Sequence, residues 1–124
     1  MLTYNEALAK LKGKSQRPLN GQRGTQLVQL TTGGIAVRCH ETNVVTIHEN
    51  GNYTLHTGGW STVTTKSRIN EYSPARIYQK KGVWYHGDGT RFFDFDLIDG
   101  NGRILDHGPE YTDSVDKIEA QYEK

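Results

Sequence analysis

Short runs rich in β-branched and aromatic residues follow one another through the first half of the chain, with glycine-bearing or polar links between them. The runs cover residues 26–30, 35–39, 44–48 and 52–56. Such side chains favour strands, and glycine favours tight turns. The pattern therefore predicts four β-strands joined as antiparallel hairpins.

The link between the third and fourth runs is Asn50-Gly51. Both central residues of a type I′ hairpin turn need positive φ, which Asn and Gly adopt most readily. A two-residue turn here predicts four facing pairs: His48 with Tyr53, Ile47 with Thr54, Thr46 with Leu55, and Val45 with His56. A shift of one residue would change every pair.

Later runs extend the sheet. Residues 76–79 and 83–86 predict a hairpin around Lys80-Lys81-Gly82, and residues 91–98 predict a strand that returns through residues 103–105. Within 91–98, apolar residues alternate with Asp94 and Asp96. We therefore expect the two aspartates on an acidic outer face, opposite the apolar one.

Three helices are predicted. Thr3 and Glu6 form a capping-box pattern before a helix over about residues 4–12. A second helix is expected over residues 66–72, with Pro74 as its stop and a cap drawn from Ser61, Thr62, Thr64 and Thr65. A third follows Pro109, with Asp113 or Ser114 as its cap.

These elements predict one domain over residues 1–124. Its class is α+β, with a mainly antiparallel sheet of about six or seven short strands and short terminal helices. Residues 13–24 are polar and basic without a period, so they predict a loop.

The composition indicates where in the cell the protein is expected. No apolar run approaches the ~20 residues of a membrane span, and the first residues lack the apolar core of a signal peptide. We therefore expect a cytoplasmic protein without a membrane partner. The single cysteine, Cys39, has no partner for an intramolecular disulfide and is expected to be a small buried residue.

Charge is unevenly distributed along the chain. Residues 1–87 carry eleven Lys and Arg against four Asp and Glu, whereas residues 88–124 carry four against ten. This asymmetry favours two halves that attract each other within one fold. It is also typical of a nucleic-acid surface with an acidic tail.

Residues 57–70 hold the densest cluster of polar and aromatic groups. An aromatic ring, cations, hydroxyls and a helix N-terminus are groups that contact phosphates and unstacked bases. The candidate binding residues are Trp60, Thr62, Thr64, Thr65, Lys66, Arg68 and Asn70, with Arg38, Arg17 and Arg23 as further cations. In the structural alternative, Trp60 fills the core, the glycines bend the strand, the threonines cap the helix, and Arg68 pairs with an acid of the C-terminal half.

No pattern of an enzyme is recognisable. The chain lacks a Gly-x-Ser-x-Gly elbow and a phosphate-binding glycine loop, and the adjacent Cys39 and His40 project to opposite faces of a strand. We predict no catalytic residue, no metal and no cofactor. The alternative enzyme is a small metal-dependent hydrolase using His40, His48 or His56 with an acid such as Glu49.

Residues 35–70 contain the segments AVR-H-T-VVT, an Asn-Gly turn, and GGW-TVTTK-RIN. In this pattern the chain resembles a group of small uncharacterised proteins, many of them encoded by bacteriophages. The resemblance implies a phage protein made in a bacterial cytosol. It carries no catalytic or binding role.

Together, these observations favour a non-enzymatic binding module for nucleic acid or for a host nucleic-acid-handling protein. One alternative is an inhibitor of a host defence or transcription protein that mimics DNA through Asp94, Asp96 and Asp99. Another is an accessory protein that self-associates through a sheet edge. The oligomeric state stays open.

Overall fold

The computed structural model describes residues 1–19, 21 and 24–108. Within this part the elements follow in the order α1 (Tyr4–Leu11), β1 (Gln16–Pro18), β2 (Thr25–Gln29), β3 (Ile35–Cys39), β4 (Thr42–Ile47), β5 (Tyr53–Leu55), α2 (Val63–Tyr72), β6 (Tyr78–Lys80), β7 (Val83–Tyr85), β8 (Asp96–Ile98) and β9 (Ile104–Asp106). The helix predicted after Pro109 lies outside the described residues.

Seven of the strands form one antiparallel sheet in the order β1-β2-β3-β4-β5-β8-β9, and β6 and β7 form a separate hairpin. An isolated bridge between Tyr85 and Arg91 continues the ladder from β7 toward the main sheet. The predicted α+β class with a mainly antiparallel sheet is confirmed.

Both helices begin directly after a threonine cap. Thr3 and Glu6 form a complete capping box at the start of α1. The Thr62 hydroxyl accepts a hydrogen bond from the Thr65 amide at the start of α2, which ends at Tyr72 before Pro74. Thr62 is one of the four predicted cap candidates. Because it is the cap, helix α2 begins at Val63, three residues earlier than predicted.

The core lies between the helices and one face of the sheet. Ala7 and Leu11 of α1 and Ile69 of α2 belong to one buried cluster with alternate residues of the central strands. Cys39 is also part of this cluster, as predicted. We call the other side the open face. Its residues include Gln26, Arg38, Asn43, Thr46, His48, Thr54 and His56.

The predicted register of the β4–β5 hairpin is wrong by one residue. Ile47 faces Tyr53, Thr46 faces Thr54, and Val45 faces Leu55. The loop therefore has three residues, with Gly51 alone at positive φ (92°) and its amide donating to the His48 carbonyl. An Asn-Gly pair suits this bulged loop as well as a type I′ turn. The observed register places apolar residues opposite each other on the covered face, which the predicted one did not.

Two further predictions are wrong. The predicted loop at residues 13–24 contains β1, an edge strand in which Pro18 is tolerated because an edge leaves some N–H positions unpaired. The predicted strand at 91–98 is a strand only from Asp96. The chain turns just before it, where Phe95 has φ 70° and the Asp96 amide donates to the Phe93 carbonyl.

The hairpin around Lys80-Lys81-Gly82 is confirmed. Its pairing leaves a two-residue loop of Lys81 and Gly82, both at positive φ (52° and 78°), which is the geometry of a type I′ turn. Neither α1 nor α2, the helices of the described part, is long and apolar enough to cross a bilayer.

Candidate functional site

Three backbone segments meet at one end of the main sheet. They are the β3–β4 turn at His40 and Glu41, the loop from β5 to α2 (residues 56–62), and the segment before β8 (residues 91–95). Gly58 brings the first two together, since a Cβ built on it would lie 2.6 Å from Oγ1 of Thr42. Only glycine fits this close approach at φ 64°.

Thr57 joins the β5–α2 loop to the segment before β8. Its amide and hydroxyl both donate to Oδ1 of Asp94 at 2.8 Å, and the hydroxyl lies 3.1 Å from Oδ2. The Gly59 amide donates to the Thr57 hydroxyl at 3.2 Å. These contacts hold the loop in a fixed position next to the start of α2.

The loop presents Trp60 to solvent. Its side chain is 69% exposed, although the backbone is held by a hydrogen bond from the Trp60 amide to the Thr57 carbonyl at 3.1 Å. Two residues later Thr62 caps α2, and its hydroxyl also lies 3.0 Å from that of Thr65. An exposed ring thus lies beside the positive end of the helix dipole.

A cavity at this end, which we call the groove, has a volume of about 750 Å³. It is lined by Cys39, His40, Glu41, Thr42, Val44, Thr57, Trp60, Thr62, Thr64 and Thr65. The lining combines one large aromatic ring, an imidazole, several hydroxyls and a single carboxylate. It offers stacking and hydrogen bonding more than ion pairing.

A second cavity, the cleft, has a volume of about 250 Å³ and lies between the Trp60 loop and the β6–β7 hairpin. It is lined by Thr57, Gly59, Ser61, Gly82, Val83, Trp84, Arg91, Phe92 and Asp94. Because Thr57 lines both cavities, the groove and the cleft adjoin.

A third cavity of about 400 Å³ lies on the open face, where Glu41 and Thr42 also line it. His48 lies 2.7 Å from the Thr54 hydroxyl through its Nε2, and burial lowers the pKa of His48. His56 stacks on Phe95 with ring centroids 4.1 Å apart. This surface is polar and aromatic, and it continues the groove around the β3–β4 turn.

Asp96 lies beneath these loops in the core and is fully buried. Its carboxylate interacts with His86 at 2.7 Å and His107 at 3.0 Å, and it accepts from the amides of Phe93 (3.0 Å) and Gly108 (3.3 Å). Burial by itself would raise the pKa of Asp96, but the hydrogen bonds from His86, Phe93 and His107 together lower it. The cluster holds the segment before β8 in place.

A family model described as Kyanoviridae Gp96 protein matches residues 5–103. The chain belongs to this bacteriophage family. The matched span contains the groove, the cleft and the β6–β7 hairpin, so all three belong to the part shared with the Gp96 family model. No curated protein and no solved structure matches the chain.

The structure brings only some of the predicted binding residues together. Trp60, Thr62, Thr64 and Thr65 line the groove. Arg38 lies on the open face, where its Nε donates to Asn43 at 2.8 Å. Arg68 of α2 contacts Thr25 on the covered face at 3.2 Å, and Arg17 of β1 pairs with Leu27 on the same face. The predicted cations therefore lie on opposite sides of the sheet.

The remaining predicted residues lie along α2 or outside the described chain. Lys66 is half-buried on the first turns of α2. Asn70 accepts from the Ile77 amide at 2.7 Å and donates to its carbonyl at 2.9 Å, which positions the chain that enters β6. Arg23 lies outside the described residues.

The structural alternative for this segment is confirmed in part. Thr62 caps the helix, and Gly58 and Gly59 at positive φ bend the chain. Trp60, however, does not fill the core, and Arg68 pairs with its helix neighbour Glu71 at 3.7 Å and with no acid of residues 88–108. The exposure of Trp60 therefore has no explanation in packing.

The predicted acidic face at Asp94, Asp96 and Asp99 does not exist. Asp96 is buried with its histidines, Asp94 is held by Thr57, and Asp99 accepts from the amides of its own turn at Asn101 and Arg103. The DNA-mimic hypothesis loses the surface on which it depended.

His86 and His107 converge on Asp96 in the core, but His40, His48 and His56, the histidines of the hydrolase alternative, belong to no metal-binding group of the described residues. Within residues 1–19, 21 and 24–108, no three His, Cys, Asp or Glu side chains form a group that could hold a metal ion. His40 is exposed on the β3–β4 turn, whereas His48 and His56 lie on the open face.

Sequence reasoning missed Arg91 and the β6–β7 turn as neighbours of the Trp60 loop. Gly82 of the turn and Arg91 lie twenty or more positions after that loop in the chain, and the cleft brings them together with Gly59 and Ser61. A signal was present, because Lys80-Lys81-Gly82 is a basic turn between strands rich in tyrosine and tryptophan.

Proposed function

We propose that this phage protein is a non-enzymatic binding module for single-stranded nucleic acid, with the groove as its site. The observation that carries the proposal is the 69% exposure of Trp60 on a loop held by hydrogen bonds. A large ring held rigidly in water is costly for solubility, and single-stranded nucleic acid uses such rings as stacking platforms.

The other groups of the groove support the same ligand. Hydroxyls of Thr62 and Thr64 lie beside Trp60 at the start of α2, where the helix dipole favours negative charge. Stacking is tolerant of base identity, and hydroxyl contacts to phosphate and sugar position a strand without reading its sequence. We therefore expect weak sequence preference and a strong dependence of affinity on salt.

The deciding experiment is titration of the protein with a labelled oligo(dT) of about 12 nucleotides, within the ~4–16 that small single-strand-binding domains cover. Replacing Trp60 with Ala should weaken binding about 5- to 150-fold, the equivalent of ~1–3 kcal/mol for one stacked base. Because Trp60 is exposed, the substitution opens no cavity, and circular dichroism should show an unchanged fold.

Val63→Ala is the matched control. Val63 is 75% exposed, close to Trp60 in the chain, and does not line the groove, so its removal should leave affinity unchanged. Equal loss in both variants would show a general apolar contact instead of stacking at Trp60. Failure of the wild-type protein to bind any single-stranded DNA or RNA at low salt would overturn the proposal.

A further inference from the structure

The β6–β7 hairpin carries an unbalanced positive charge. Residues 73–87 contain Arg76, Lys80 and Lys81 and no Asp or Glu. All three cations are exposed, and none forms an ion pair in the part of the chain that the structure describes. The hairpin therefore presents charge that no described acid neutralises.

A tight turn and a pair of stacked rings give the hairpin its shape. Lys81 and Gly82 form the two-residue turn, and the rings of Tyr78 and Tyr85 stack across the strands with centroids 5.6 Å apart. Lys81 at φ 52° is unusual for a side chain other than Asn, Asp or Gly. The two lysines are thus held at the tip of a rigid arm.

The cleft connects this arm to the groove. Gly82 and Val83 form one wall and Gly59 and Ser61 the other, so the hairpin turn and the Trp60 loop face each other across it. Arg91 also lines the cleft, and its guanidinium lies 5.2 Å from the centre of the Phe93 ring. Asp94, the acid in the wall, is already held by the amide and hydroxyl of Thr57.

Trp84 forms part of the wall of the cleft. It is 6% exposed, and its Nε1 is buried with no hydrogen-bond partner among the described residues. A buried donor left unpaired costs about 1–3 kcal/mol. Trp84 is therefore kept at the cleft wall at a cost in stability.

We propose that the cleft and the hairpin tip form a phosphate subsite, where the backbone of a single strand stacked on Trp60 passes Arg91, Lys80 and Lys81. This inference rests on the proposed function and extends it, because it assigns the phosphate backbone of the nucleic acid to one side of Trp60. Arg91 lines the cleft, and Lys80 and Lys81 directly precede the wall residue Gly82 in the chain. These cations complement a row of phosphates, whereas the groove itself offers stacking and hydroxyls.

The test is the salt dependence of oligo(dT) binding by the variant K80Q/K81N. Gln keeps the length of the strand residue, and Asn tolerates the positive φ of position 81. Each lost phosphate contact should lower the slope of log K against log salt by about 0.7. We expect a total decrease of about 1.4, weaker binding at low salt, and no effect of the variant on a methylphosphonate oligonucleotide without backbone charge.

Arg103→Gln is the matched control. Arg103 is exposed at the other end of the sheet, on the turn whose Gly100 approaches the Gly51 carbonyl, and it should leave the slope unchanged. In Trp60→Ala the affinity should fall while the slope stays that of the wild type, because stacking releases no counterions.

The outcomes separate the two proposals. A wild-type slope in K80Q/K81N, with Trp60→Ala still weakened, would overturn the phosphate subsite and leave the nucleic-acid site standing. An equal change of slope in Arg103→Gln would show a general charge effect and would likewise overturn the subsite. Absence of binding by the wild-type protein would overturn both proposals.

Discussion

Asp96 is the residue whose surroundings differ most from its expected exposed position. Its carboxylate is fully buried and has four hydrogen-bond partners, two of them imidazoles. A buried carboxylate is stable only when such partners replace water. Because His86 and Phe93 belong to the segment that leads into β8, the cluster determines the path of the chain beside the cleft.

Replacing Asp96 with Ala should therefore lower the free energy of unfolding by about 3–5 kcal/mol, since two histidines and two amides lose their partner. Urea denaturation followed by circular dichroism measures this. Asp106→Ala is the control, because Asp106 is exposed and its carboxylate forms no hydrogen bond or ion pair in the described structure, so the expected change is within ~0.5 kcal/mol. A small effect at Asp96 would contradict the structural role of the cluster.

The same cluster predicts an acid dependence of stability. The pKa of Asp96 in the folded protein lies below the ordinary value of 3.8, so the unfolded chain binds protons more readily. The contribution of Asp96 is complete above that ordinary value and is lost as pH falls through the lowered pKa. Asp96→Ala should lack this component of acid unfolding, which a comparison of urea midpoints between pH 5 and the acid limit reveals.

At the scale of elements, the type I′ turn expected at Asn50-Gly51 occurs at Lys81-Gly82 instead. Asn50-Gly51 belongs to a three-residue loop in which Asn50 accepts from the Asn52 amide at 3.0 Å, and Lys81-Gly82 forms the type I′ turn. Since neither Glu49 nor Asn50 has positive φ, residues 48–51 have the geometry of a type I turn followed by a glycine bulge.

This geometry predicts that Glu49→Pro is tolerated. Position 49 is the second residue of the turn, where proline is favoured, and the Glu49 amide donates no hydrogen bond to any described residue. We expect a gain of about 0.4–1 kcal/mol in thermal or urea unfolding from the smaller entropy of the unfolded chain.

Asn50→Pro serves as the comparison, because proline is disfavoured at the third position of a type I turn and should destabilise the protein. In the predicted two-residue register, residue 49 would instead be the last paired residue of the strand. Marked destabilisation by Glu49→Pro would therefore favour that register over the one observed.

At the scale of the whole molecule, the sheet has one covered and one open face, and α2 connects the core to the groove. Ile69 of α2 is fully buried, while Trp60 and Val63 at its start are exposed. In residues 88–108, no aspartate pairs with a Lys or Arg of residues 1–87, and Asp94 and Asp96 lie instead beside histidines. Apolar packing and histidine contacts, more than attraction between oppositely charged halves, hold this part together.

Ile69→Ala should accordingly cost about 2–5 kcal/mol, as expected for a large-to-small substitution in a core. Val63→Ala, six residues earlier on the same helix, should change stability by no more than ~0.5 kcal/mol. Similar effects of the two substitutions in chemical denaturation would mean that α2 is not packed on the sheet as described.

Local signals predict much of this fold. The capping box at Thr3, the cap at Thr62, the strand over Ile35–Cys39 and the glycine turns depend on neighbouring residues alone, so the sequence specifies them directly. The polar and aromatic cluster of residues 57–70 likewise predicts that Trp60 and the threonines after it share a surface, and they line one groove.

Tertiary structure decided the rest, because those features depend on residues far apart in the chain. The register of β4–β5 follows from matching apolar residues on the covered face, and the burial of Asp96 follows from His86 and His107, which lie ten and eleven positions away on either side. Packing likewise decides the side of the sheet on which Arg38 and Arg68 lie and the exposure of Trp60. It also brings the Trp60 loop close to Arg91 across the cleft. The sequence by itself determined most of the elements; only the packed sheet determined strand β1, the turn at Asn50-Gly51, and which side chains face one another or solvent.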